Sequence, residues 1–281
     1  MHIQTPLTQS YTPFQPTLTA QGMSHFGLSV DMQRPILALS NSILAFLQVR
    51  VEQPTPYSMI PDGTNVLLFS PLRGWVGGTR LSILEVQLIE PGDYFGVWFA
   101  PGSLRQFFDV DLLEITQSLV GDDFLSHREF VYLSERLYEK ETFSERVVLC
   151  ESLFLKSLFQ QPPPALSHAL TLIYQSLGSI SVTTLAQSVG LSRRHLNRLF
   201  SLHTGLSTKS FSQLIRSQSL LSCCYKKNVS IFHCGLDLGF YDQSHILRSL
   251  NQHDLSSLSL QTQQFMSAFY KPHQKERNIL F

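Results

Sequence analysis

Two short stretches hold the side chains with the most chemical content. Residues 190–200 read GLSRRHLNRLF, and residues 239–250 read GFYDQSHILRSL. Each opens on glycine and an apolar residue. Each continues with a helix-capping side chain (Ser192 or Asp242), a histidine three places on (His195 or His245), an apolar residue (Leu196 or Ile246) and an arginine (Arg198 or Arg248). From the cap onward the two copies match at an offset of fifty, with Tyr241 as one extra residue in the second turn. In the first copy Arg193, Arg194, Asn197 and Arg198 fall in the N-terminal half of a capped helix, while Leu196, Leu199 and Phe200 form its buried stripe at i, i+3, i+4. An arginine fork fits the O6/N7 edge of guanine and an asparagine amide fits adenine, each worth ~1–3 kcal/mol of discrimination. Cations at a helix N-terminus oppose the helix dipole, so two arginines there suit a helix end that faces phosphates. The second copy offers Gln243, Ser244, Leu247 and Arg248. It is less basic, so it either reads a base through Gln243 or mainly positions the protein on the sugar-phosphate backbone.

Each copy needs an element to hold it outward. Upstream of the first, VTTLAQSVG places Leu185 and Val189 on one stripe and a small residue, Ala186, where a second helix can cross closely. Gly190 suits the left-handed position that ends a helix. That layout is a helix-turn-helix. Helical spacing predicts helices near 165–177, 182–189, 193–203, 207–223, 229–238, 242–252 and 259–269, with Gly178, Gly190, Gly205 and Gly239 at their ends. The helix over TKSFSQLIRSQSLLSCCYKKN is a rod joining two reading heads. It is long enough for both to enter successive major grooves, ~34 Å apart. Gly235, inside the helix before the second copy, costs ~1 kcal/mol relative to alanine.

The rest of the chain frames this basic end. Net charge is zero over 281 residues, yet residues 165–281 hold eleven Lys and Arg against four Asp and Glu. The preceding 164 residues hold ten against seventeen. A basic half facing a polyanion fits that split. Three prolines at 162–164 mark a linker over 161–164. Before it, NVLLFS, LSILEVQLI and YFGVWFA read as strands separated by turn residues, and 34–52 adds a strand or two. Residues 103–110, 110–119 and 130–159 read at helical spacing. The predicted class is α+β: a polar arm with little structure over 1–25, a β-rich regulatory domain with a helical tail over 26–160, and an all-α domain over 165–269 with a tail to 281. Leu149, Leu153, Phe154 and Leu158 on the tail helix either pair with a second copy or pack on their own sheet. Trp75, Tyr94, Trp98 and Phe99 are candidates for an effector pocket or for plain core. Cys150, Cys223, Cys224 and Cys234 lack metal-ligand spacing and read as reduced thiols of a cytoplasmic protein. No signal peptide, membrane span, nucleophile elbow, phosphate loop or HExxH motif is recognisable, so neither an enzyme nor a metal or cofactor site is expected.

ISVTTLAQSVGLSRRHLNRLFSLHTGLSTKSF, with RSQSLL, VSIFHCGLDLGFYDQSH and the following arginine, closely resembles the DNA-binding domain of AraC/XylS-type transcriptional regulators. The resemblance covers roughly residues 165–269. It implies seven helices in two helix-turn-helix units, using Arg193, Arg194, Asn197 and Arg198 in one and Gln243, Ser244 and Arg248 in the other. PDGTNVLLF, GVWFAPGSLRQFF and TFSERVVLCESLFL resemble, more weakly, the effector or dimerisation half of a subgroup. The expectation is a transcriptional activator or other regulator whose partners are double-stranded promoter DNA, RNA polymerase, a small-molecule effector and a second copy. The alternative is a protein-interaction regulator that keeps the scaffold but has lost sequence-specific DNA binding. It is motivated by Asp254–Leu258, where the family usually has aromatic-Gly-x-Ser-Pro.

Overall fold

The computed structural model describes residues 11–125, 127–130, 132–227 and 231–253. Ten helices and eight strands run in chain order there: α1 (Ala20–Phe26), β1 (Leu28–Gln33), β2 (Ile43–Val51), β3 (Thr55–Met59), β4 (Asn65–Phe69), β5 (Gly74–Gly77), β6 (Leu84–Ile89), β7 (Gly92–Phe99), α2 (Leu112–Ile115), β8 (Leu119–Gly121), α3 (Leu133–Tyr138), α4 (Phe143–Ser157), α5 (Pro164–Gln175), α6 (Val182–Ser188), α7 (Arg193–Thr204), α8 (Thr208–Lys227), α9 (Ile231–Asp237) and α10 (Gln243–Asn251). Six strands form one antiparallel sheet in the order β1-β2-β7-β4-β5-β8, and β3 pairs with β6 in a separate ribbon. The fold is therefore α+β, with an antiparallel sheet first and helices after it.

The sheet turns alternate side chains into a core of aromatic rings. Phe95, Val97 and Phe99 on β7 are fully buried at a spacing of two, as that pleat requires. They meet Phe107, Phe108, Phe130 and the inner face of α4. A capping box at Thr142 and Glu145 starts α4, and Arg146 ties it to the sheet through Asp93 at 2.8 Å. The Arg146 guanidinium also lies over the Tyr138 ring, 4.4 Å from its centre. Leu153 and Phe154 belong to this core, with Leu149 and Leu158 packed against it. The tail helix thus packs on its own sheet through the four residues that were equally compatible with pairing.

Apolar spacing misleads in two places. Residues 103–119 were expected to be helical, but they hold only a 3-10 turn at Leu104–Gln106 and the four-residue α2 before β8. Leu104, Phe107 and Phe108 are all fully buried, so their spacing reports insertion beneath the sheet. Residues 11–25, the described part of the arm expected over 1–25 to have little structure, are packed as well. A 3-10 turn at Pro16–Leu18 leads into α1, which Thr19 caps. The Tyr11 ring stacks on Tyr174 at 4.7 Å, and its hydroxyl donates to the Asp62 carbonyl at 2.7 Å.

The two halves share a core. Phe14, Phe26, Leu28, Val51, Ile60 and Ile83 cluster with Leu220, Leu221, Ile231, Ile246 and Leu250. Gln218 on α8, almost wholly buried, accepts from the Phe14 N–H at 2.8 Å and donates to the Pro61 carbonyl at 2.7 Å. A second contact lies at Gly63 (φ +81°), where an added Cβ would sit 2.9 Å from the Phe211 ring. The prolines near 162–164 therefore do not isolate the halves: Pro163 precedes α5 and Pro164 is its first residue, a position where the missing N–H costs nothing.

Burial of His203 on α7, and secondarily the Arg105 cation, hold its pKa below the ordinary 6.5. The folded state then keeps the ring neutral while the unfolded chain binds a proton, so stability falls as pH drops from about 6.5 toward the lowered value. His253, buried with one ring nitrogen 2.7 Å from the Leu81 carbonyl oxygen, acts in the same direction. Asp62 acts oppositely, because burial raises its pKa, and its contribution grows as pH falls through the raised value toward 3.8. Urea unfolding midpoints of the full chain are expected to fall between about pH 7.5 and 5.5, and His203→Gln to flatten that slope.

Candidate nucleic-acid interface

The repeated phrase in the sequence is repeated in hydrogen bonds. In the first unit α6 ends where the Gly190 N–H donates to the Gln187 carbonyl and the Leu191 N–H to the Ala186 carbonyl, at 3.2 and 3.0 Å. In the second, α9 ends where the Gly239 N–H donates to Leu236 and the Phe240 N–H to Gly235, at 3.0 and 2.9 Å. Gly190 and Gly239 have φ of +69° and +72°, the left-handed conformation that closes such a helix end. The following helix is capped the same way in both. The His195 N–H donates to Ser192 Oγ at 3.2 Å, and the His245 N–H to Asp242 Oδ1 at 2.7 Å. Tyr241 lengthens the second turn by one residue and is 92% exposed.

This register gives Gly235 a role. It stands at the position of Ala186, before the extra turn residue. A Cβ on Gly235 would run into the Ile246 side chain, so the missing side chain lets α10 cross close to α9 without moving Ile246. The cost read from helix propensity is offset by that close crossing.

On α7 the apolar stripe turns inward: Leu196 and Phe200 are fully buried, and Leu199 is half-buried against the same core. Arg193, Arg194, His195, Asn197 and Arg198 are exposed. Ser192, Arg194, His195, Asn197 and Arg198 line an open surface hollow of about 560 Å³. Among the described residues, none of the three arginines forms an ion pair with a carboxylate. Three unneutralised cations on a solvent-facing helix start make a local positive field.

Asn197 has a second task. Its Oδ1 accepts the Thr208 N–H at 3.1 Å, satisfying one of the unpaired donors at the start of α8. It was expected only as a base reader, and an i to i+11 bond across a turn leaves no periodic signal in sequence. Asn197→Ala is expected to lower stability by about 0.5–2 kcal/mol, as loss of a capping acceptor does. Asn197→Asp, which keeps the acceptor, should retain stability. Denaturant melts of the two variants check this.

The second unit is built differently. Gln243, Ser244, Leu247 and Arg248 are exposed on α10, while Ile246 and Leu250 are buried. Arg248 Nε folds back onto the Ser244 carbonyl at 3.2 Å. Sequence reading missed Arg216 on α8. Its guanidinium lies 4.1 Å from the centre of the Phe240 ring and donates to the carbonyls of Leu238 and Gly239, at 3.2 and 2.8 Å. It locks the second turn to the connecting rod, and it lines an open hollow of about 450 Å³ with Tyr241, His245, Arg248 and Gln252. The helix expected at 259–269, the Asp254–Leu258 departure and the tail lie outside the described residues.

Trp75, Tyr94, Trp98 and Phe99 do not converge. Phe99 is core, Trp75 lies under the Arg73 guanidinium, and the Tyr94 hydroxyl donates to the Glu90 carbonyl. Trp98 lines a cavity of about 90 Å³ with Gln15, Ile60, Thr64 and Arg80, and none of the other three lines that cavity. Its Nε1–H donates to Thr64 Oγ1 at 2.8 Å. No group of three or more His, Cys, Asp or Glu among the described residues is placed to hold a metal ion, and no helix among them is long and apolar enough to cross a membrane.

A family model described as a domain of unknown function, DUF6597, matches residues 32–121. That stretch runs from the end of β1 through β8. No curated protein matches the chain significantly. Among solved structures, it is similar to ToxT from Vibrio cholerae, with 12% identity and a TM-score of 0.41 over 86% of this chain and 98% of that one. At that identity and score the two chains are alike in outline only.

Proposed function

We propose that the chain is a sequence-specific DNA-binding regulator of transcription. In this reading α7 and α10 are two recognition helices carried on one scaffold. The observation that carries it is the exposed trio Arg193, Arg194 and Arg198, without carboxylate partners among the described residues, in the N-terminal half of a capped helix in a helix-turn-helix. A helix of this kind enters the major groove by its N-terminal end. Arg194 and Arg198 then take base edges or phosphates, with Arg193 on the backbone. Gln243, Ser244, Leu247 and Arg248 serve the second groove, with fewer charges and correspondingly less backbone affinity. The chain acts in the cytoplasm and contacts RNA polymerase when bound at a promoter.

Control through the sheet domain follows from the shared core, since Gln218 and Phe14 couple α8 to residues 11–26 and to Pro61. The cavity beside Trp98 is below the ~300 Å³ of ordinary small-molecule sites, so an effector entering there must open it. Selection of bound sequences from random DNA, followed by gel-shift titration at several salt concentrations, tests the reading. Recovery of a common site with an affinity falling steeply in salt supports it. Weak, sequence-indifferent and salt-insensitive binding sinks it.

A second reading is a protein-interaction regulator on the same scaffold. Exposed Tyr241 and Leu247 on the less basic unit favour it. It predicts no recovered DNA site and no effect of the α7 arginines.

A further inference from the structure

Three of the four cysteines lie together. Cys223 and Cys224 are near the end of α8, Cys234 is on α9, and the Cys234 thiol is within hydrogen-bonding reach of both. Cys224 and Cys234 are buried in the core that the two halves share, and Cys223 is half-buried at its edge. Cys150 stands apart, fully buried behind the large sheet. An isolated buried thiol behaves as a small hydrophobe. Thiols gathered in one cluster across two packed helices, with one reaching solvent, are candidates for a disulfide, which needs their Cβ atoms within about 4.5 Å. Successive residues on a helix diverge by about 100°, so Cys223 and Cys224 point apart and Cys234 is the partner they share. The Lys227 ammonium, 2.7 Å from Asp237, lies close enough to act electrostatically on Cys223 and Cys234.

We propose that this cluster is a peroxide-sensitive site that closes a disulfide between α8 and α9. Cys223, the most accessible thiol, attacks one peroxide oxygen. The O–O bond breaks, water leaves, and Cys223 becomes a sulfenic acid, oxidised by two electrons as the peroxide is reduced. Cys234 sulfur then attacks the Cys223 sulfur, the S–O bond breaks, and the hydroxyl leaves as a second water carrying the Cys234 proton. Cys224 can take over the bond by exchange, attacking Cys234 and releasing the Cys223 thiol. Burial raises the Cys224 thiol to about 11 and pushes Cys234 up further, so both stay largely protonated and their small thiolate fraction makes the second step the slow one. Disulfides of this transient kind are the ones a reducing compartment tolerates.

The bond has a route to α10. Closing to an S–S length of ~2.05 Å draws α9 onto α8 at Cys234. The next residue is Gly235, against which the Ile246 side chain of α10 is packed closely enough to exclude a Cβ. Oxidation therefore displaces the helix that bears Gln243 and Arg248. The disulfide stands independently of the DNA reading; its effect on DNA rests on that reading.

The test uses the full chain, treated with hydrogen peroxide, alkylated and digested without reduction for mass spectrometry. The expected result is an intrachain link from Cys234 to Cys223 or Cys224, two thiols left free including Cys150, and a single-chain band on a non-reducing gel. Cys150→Ser should give the same link and Cys234→Ser none. Four free thiols after treatment, or links only between chains, overturn the proposal. In parallel, the affinity of oxidised and reduced protein for a DNA fragment recovered by site selection is expected to differ several-fold, with the difference abolished in Cys234→Ser. Equal affinities overturn the coupling to α10. Absence of DNA binding in both forms overturns the DNA reading, while the peptide map still decides the disulfide.

Discussion

Replacing Arg193, Arg194 and Arg198 together by alanine is expected to lower affinity for the selected DNA site by at least ~100-fold at moderate salt, and to flatten its salt dependence. Each phosphate contact removed takes about 0.9 from the slope of log affinity against log salt. Each lost bidentate base contact costs ~1–3 kcal/mol and relaxes selection at one position. Arg194→Ala alone, if Arg194 reads a base, should lose roughly 5–150-fold on the correct site and much less on a site already mismatched there. The stability of these variants should hold. All three side chains are exposed and without carboxylate partners among the described residues, and removing cations from a helix start relieves an unfavourable dipole interaction. Fluorescence anisotropy at several salt concentrations, beside a denaturant melt, separates the outcomes. Unchanged affinity and slope in a folded triple variant remove DNA from the function.

The helical end was the more legible part because its signals are local. Caps at Ser192 and Asp242, glycines that must adopt positive φ and a stripe at 3.6 spacing all lie within a few residues of what they specify. Nearly every predicted helix among the described residues falls within a few positions of its place. The α7 face was legible for the same reason: burying Leu196 and Phe200 leaves Arg194 and Arg198 outside. What could not be read depends on distant partners. Asn197 bonds Thr208, Arg216 covers Phe240, and Gly235 is required by Ile246, none of them a periodic relation. The short strands β3, β5 and β8 were missed because pairing with a neighbour defines them. The helical reading of 103–119 failed because burial on several sides imitates helical spacing. Residues 11–25 looked polar and unattached because their partners, Asp62, Tyr174 and Gln218, are distant in sequence.

Phe154→Ala is expected to produce the largest loss of stability of any single change considered, about 3–5 kcal/mol. The ring is fully buried, with Phe107, Phe130, Phe99 and Phe108 at centroid distances of 5.0, 5.2, 5.5 and 6.4 Å. Truncation forfeits the transfer energy and opens a cavity that four rigid rings cannot collapse around. Whole domains are stable by only ~5–15 kcal/mol, so the variant should unfold at far lower urea than the parent. The same experiment decides what the tail helix does. Val148, Leu155 and Phe159, exposed on or just beyond the outer side of α4, serve as controls. Leu155→Ser and Phe159→Ser should each change stability by no more than about 0.5 kcal/mol, since neither leaves the core. If α4 is a core helix, Phe154→Ala lowers the unfolding midpoint at every protein concentration by the same amount. If Leu153 and Phe154 joined two chains instead, the midpoint of the parent would rise with concentration and the variant would lose that dependence. Equal midpoints for Phe154→Ala and the parent, with a shift in sedimentation, would overturn the placement of α4 against β7.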